Sequence, residues 1–128
     1  MVLGVRMTAG KGKSEHSEQV TLVQRLRWMH PELKDLVAAV PNGGKRDPRT
    51  AAALKAEGVL PGWPDLIVAK PVPGYHGCYV EMKVKAGGVL SPDQKRVHAA
   101  LVAQGYAVII GYGADDAYAK LQQYLQCR

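Results

Sequence analysis

The chain has 128 residues, 47% of them apolar, which is enough for one domain around a single core. Its 17 lysines and arginines outnumber 11 acidic residues, and the formal charge of +6 favours a polyanionic partner such as nucleic acid over a cationic one. Cys78 and Cys127 lack the spacing of a disulfide framework or a zinc site, no apolar run approaches the ~18–20 residues of a membrane span, and no signal-peptide core is present, so a reduced, cytoplasmic setting without a membrane is expected.

Residues 1–13, with "TAGKGK", read as a flexible basic tail, and residues 14–128 as the single folded domain. A helical pattern begins at "SEHSEQVTLVQRLRWMH", with Ser14 or Ser17 as its N-cap, Val20, Val23 and Leu26 as its apolar face, and an end near His30 before Pro31. "LVAAVPNGGKRDPR" reads as extended chain followed by a loop of Asn, Gly and basic residues. "TAAALKAEG" reads as a short helix capped by Thr50 and closed by Gly58.

A strand over residues 65–69 follows, then a hairpin-like connection, "KPVPGYHG". "CYVEMKVK" alternates with period two, setting Tyr79, Glu81, Lys83 and Lys85 on one face and Val80, Met82 and Val84 on the other. The next helix has a strong start: Ser91 as N-cap, Pro92 in the first turn and Gln94 in the capping-box position, with Gly105 at its end. "YAVIIGY" is an apolar run expected to form a buried strand, and "DDAYAKLQQYL" a closing helix with Asp115 and Asp116 at its positive end.

Within this order Asp65 stands at the mouth of one strand, while Glu81 and Lys83 share a face of the next, ~7 Å apart along the chain. Two carboxylates on neighbouring strands suit a hard divalent cation, with positions left for water and a phosphate oxygen. Phosphodiester hydrolysis needs an activated water, a sink for developing charge and a hold on the phosphate. A cation on Asp65 and Glu81 with Lys83 beside it divides those tasks.

Pro64-Asp65 and Glu81-Met82-Lys83, separated by a strand, a turn and part of a second strand, resemble the paired motifs of the PD-(D/E)xK nuclease superfamily. "PNGGKR" at 41–46, "LKAEGVLPGWPDL" at 54–66, "YVEMKVKAGGVLSPDQ" at 79–94 and "LVAQGY" at 101–106 resemble successive motifs of one of its branches, the virus-type replication-repair nuclease domain, VRR-NUC. The resemblance extends from about Glu18 to about Leu125. It implies an α/β fold: a restriction-endonuclease-like αβββαβ core with a mixed central sheet flanked by helices.

It also implies a metal-dependent endonuclease acting on DNA with Mg²⁺ or Mn²⁺. Asp65 and Glu81 become metal ligands, with Glu18 on the first helix as a further acidic group beside the metal. Lys83 becomes the catalytic lysine and Gln94 a site residue, while Asn42, Gly43 and Gly44 match a loop near the substrate. Stand-alone members look like homodimers acting on branched DNA such as four-way junctions, so a homodimer in the cytoplasm of a bacterial or phage-infected cell is the implied setting.

Plainer readings stand beside these. Glu18 is also a first-turn acid favoured by the helix dipole, and Gln94 is explained by a capping box alone. Lys45, Arg46 and Arg49 suit phosphate contacts, but their loop also reads as a simple turn. Trp63 reads as packing, and His16, His30, His76 and His98 show no metal-ligand spacing and receive no chemistry. The alternatives to a junction nuclease are a same-fold nuclease for duplex or single-stranded DNA and a catalytically silent DNA-binding scaffold.

Overall fold

The structure is a computed structural model and describes residues 14–41, 47–84 and 88–127. Its elements are α1 (Glu15–Met29), a 3-10 turn (Pro31–Leu33), β1 (Val37–Ala39), α2 (Pro48–Ala56), β2 (Leu66–Val68), β3 (Cys78–Lys83), α3 (Pro92–Ala103), β4 (Ala107–Tyr112) and α4 (Ala114–Leu125). The strands form one mixed sheet in the order β1-β2-β3-β4. The first three run antiparallel, and β4 returns parallel to β3. This is the expected αβββαβ core, with α2 inserted after β1 and α4 added at the end.

The sheet is covered on both faces. Leu22 and Leu26 of α1 and Ala117, Tyr118, Leu121 and Tyr124 of α4 pack with Leu66, Val68, Val80 and Met82 on one side. On the other side Val97 and Leu101 of α3 pack with Tyr79, against Trp63, Ile67, Tyr106 and Val108. Val80 and Met82 therefore face α1 and α4 while Tyr79 faces α3, which is the predicted alternation. Because β3 lies inside the sheet and is covered twice, residues 78–82 are all buried.

Local chemistry explains most of the boundaries. Ser14 caps α1 and Ser17 completes a reciprocal capping box, so both serines act together. The buried stripe of α1 is Leu22 and Leu26, four apart, rather than the expected Val20, Val23 and Leu26. Val20 is 42% exposed and Val23 only packs against the edge of the core. A spacing of three drifts off a 3.6-residue period, whereas four stays closer to one stripe.

α2 starts three residues earlier than expected. Asp47 caps it, accepting from the Arg49 and Thr50 amides, and Pro48 follows in the first turn. Thr50 is thus inside the helix, its hydroxyl donating to Asp47 Oδ2 at 2.8 Å. The strand expected at 65–69 is Leu66–Val68, so Asp65 precedes the strand. The apolar run "YAVIIGY" does form β4, but as an edge strand it is half-buried, with only Gly111 fully covered.

The tail at 1–13, the loop residues Asn42, Gly43, Gly44, Lys45 and Arg46, and Lys85 lie outside the described residues. No helix among the described residues is long and apolar enough to cross a membrane.

Candidate active site

The register of β2 against β3 assembles the site. Leu66 pairs with Val80, so one step outward Asp65 stands opposite Glu81, and both side chains leave the sheet on the α3 face. Asp65 is fixed by its own strand neighbour: its Oδ2 accepts from the Met82 amide at 2.7 Å, and its carbonyl accepts from the Val40 amide at 2.8 Å. The turn before it is pressed onto the start of α3. A Cβ at Gly62, which has φ +95°, would lie 2.5 Å from backbone atoms of Asp93. Trp63 meets the Tyr79 ring edge-on at 5.5 Å, in the packing role expected for it.

Gln94 joins the pieces. Its Oε1 accepts from the Ser91 amide at 2.9 Å, completing the capping box of α3, and also takes the Lys83 Nζ at 3.3 Å. Its Nε2 donates to Glu81 Oε2 at 3.2 Å. Gln94 therefore caps α3 and at the same time bonds both Lys83 and Glu81. One turn further along α3, His98 Nε2 lies 3.2 Å from Glu81 Oε1.

The result is a cluster of Asp65, Glu81, Lys83, Gln94 and His98, built from three consecutive elements. It opens onto a pocket of about 480 Å³ whose lining includes Glu15, Lys55, Asp65, Glu81 and Asp93. Glu81 is only 2% exposed. Burial, and next the neighbouring Asp65 carboxylate, push its pKa up to about 8, with Lys83 pulling the other way. His98 is lowered, first by burial and then by the Lys83 ammonium, while Asp65 opposes that shift.

Two expected residues stand elsewhere. Glu18 turns from α1 towards α4, where its Oε1 accepts from the Ala114 amide at 3.0 Å. It is Glu15, one turn earlier, that lines the pocket. Arg49 sits exposed in the first turn of α2. His98 was the residue passed over, and the signal that would find it is its spacing: four after Gln94 and three before Leu101, on the stripe of α3 that meets the sheet.

Fold and cluster together define a nuclease domain of the PD-(D/E)xK type. The family model for the VRR-NUC domain matches residues 12–115, and the chain belongs to that family. A solved structure described as a VRR-NUC domain protein is 28% identical, covers 91% of this chain and is covered over 91% of its own, with a TM-score of 0.78. No curated protein matches the chain. Domains of this type are nucleases that generally use divalent cations, and DNA is the substrate they imply.

The donor set fits such a cation. Two carboxylates stand side by side, one of them buried and holding its proton to about pH 8, and a hard cation relieves both the repulsion and the desolvation. Among the described residues no group of three or more His, Cys, Asp or Glu is arranged to hold an ion. Two protein carboxylates with water and phosphate oxygens completing the shell is the manner in which Mg²⁺ is commonly held.

Proposed function

We propose that this protein is a divalent-metal-dependent endonuclease that cuts branched DNA, with four-way junctions as the preferred class, and works as a homodimer. The observation that carries the reading is the pairing of Asp65 against Glu81 with Lys83 on the same strand face, Glu81 and Lys83 being linked through Gln94.

Asp65 and Glu81 would hold Mg²⁺ or Mn²⁺, which supplies polarisation of the scissile phosphate and of the attacking water. Lys83 brings a cation to the same face, where it holds the attacking water or the phosphate oxygen on which negative charge develops. Gln94 keeps Lys83 and Glu81 in register through its two ends. Lys55 and Arg49 of α2, with Lys45, Arg46, Asn42, Gly43 and Gly44 of the preceding loop, are proposed to meet the phosphate backbone, which orients a substrate without reading its sequence. A two-fold dimer suits a two-fold junction, because paired cuts need two sites.

The test is a cleavage assay on end-labelled four-way junction, flap, linear duplex and single strand, with Mg²⁺, Mn²⁺ or EDTA. Metal-dependent paired cuts in the junction are expected. Lys83→Ala should lower the cleavage rate by roughly 10²–10³-fold or more while circular dichroism shows an unchanged fold. Wild-type rates in that variant would remove Lys83 from the chemistry, and DNA binding without any cutting would favour a silent scaffold.

A further inference from the structure

We propose that His98 is a positioning residue of this site, holding the Glu81 carboxylate in place by donating a hydrogen bond from Nε2 to Oε1. The inference rests on the metal-dependent nuclease reading and adds to it a residue outside its paired motifs.

A glutamate side chain has three rotatable bonds, and a strand alone does not decide where its carboxylate sits. In this protein both oxygens are held from one helix: Gln94 Nε2 reaches Oε2 and His98 Nε2 reaches Oε1, each at 3.2 Å. The two donors are four apart on α3, so they stand one above the other on the same face. An ionised carboxylate has about four lone-pair sites, so two donors leave lone pairs on both oxygens for a cation.

His98 is itself fixed. It is 7% exposed, and it lines a groove with Leu90, Val102, Val108 and Ile110. A buried imidazole amid aliphatic side chains needs a polar partner, and the partner at hand is the carboxylate on which the site depends. Hydrogen bonds to ligating groups set their orientation and basicity, and their loss typically weakens metal affinity by about 10–100-fold. Gln94 also caps α3, so removing it would damage the helix as well as the site. His98 has no such second duty and is the cleaner probe.

The experiment measures Mn²⁺ uptake by electron paramagnetic resonance for wild type, Glu81→Gln, His98→Leu, His98→Asn and His98→Gln, with thermal melts in EDTA alongside. Gln carries an amide nitrogen where His carries Nε2, whereas the Asn amide falls short of Glu81. His98→Leu should bind Mn²⁺ about 10–100-fold more weakly and His98→Gln within about threefold of wild type. Should the leucine variant not fold, His98→Asn, which keeps a polar group, should show the same weakening.

A folded leucine or asparagine variant with wild-type Mn²⁺ affinity overturns the proposal. So does a glutamine variant as weak as leucine, which would make His98 a direct ligand or a packing residue. If wild type takes up no Mn²⁺, the metal-dependent reading itself falls, a result recognisable because Glu81→Gln would then equal wild type.

Discussion

Glu81 is the residue on which the site turns, and its burial makes a prediction about stability. Its carboxyl is covered on the central strand and faces Asp65, so its pKa lies near 8 in the fold against an ordinary 4.5. Between those values the folded chain keeps a proton that the unfolded chain has lost. The contribution is therefore complete below 4.5 and disappears as pH rises through about 8. In buffer freed of divalent cations, wild type should lose several degrees of melting temperature relative to Glu81→Gln over this window. Measuring both proteins cancels the opposite contribution of His98, whose lowered pKa favours the fold as pH rises. Parallel profiles for the two would mean that Glu81 is not buried as an acid. The chemistry of this residue was legible because a period-two strand fixes which side chains share a face. His98 was not, since its partner lies 17 positions away and only the packing of α3 on β3 joins them.

At the scale of elements, α1 carries two acids whose duties differ. Gly113 has no side chain with which to cap α4, and the Glu18 carboxylate takes the Ala114 amide in its place. Glu15 lines the pocket beside Asp65 and Glu81 and helps to raise the Glu81 pKa. Glu18→Ala should then cost about 1 kcal/mol, as the loss of a helix cap does, and leave most of the Mn²⁺ affinity. Glu15→Ala should do the reverse, weakening Mn²⁺ binding with little change in melting temperature. If instead Glu18→Ala abolishes metal binding, Glu18 acts as the family resemblance implies. Sequence alone does not separate the two acids, because the choice depends on where α4 begins, almost the length of the chain away. The same distance dependence hid the edge position of β4: an apolar run records hydrophobicity but not how many strands flank it. Capping signals are local, which is why α3 was legible to its first turn. Asp47-Pro48 is an equally local signal for α2 that the reading of Thr50 overlooked.

For the whole molecule, charge is divided between reach and reaction. The chain carries a formal +6, yet the pocket gathers the acids Glu15, Asp65 and Asp93 around the protonated Glu81, and these repel a phosphate unless a cation stands among them. Affinity for DNA must then come from basic residues outside this cluster, and those exposed charges act through release of counterions. The groups that perform the reaction are buried or close-packed, where salt screens them far less. Raising KCl from about 50 to about 200 mM should therefore weaken DNA binding by roughly a hundredfold if about four phosphates are neutralised. Over the same range the single-turnover cleavage rate at saturating protein should change by less than about threefold. Fluorescence anisotropy with catalytically impaired Lys83→Ala gives the first quantity, and quenched-flow cleavage by wild type the second. A flat binding curve would show that the basic surplus does not meet the backbone. A cleavage rate that falls in step with affinity would show that the charges closing on the scissile phosphate are exposed ones, and would move the Lys83 role out to the surface.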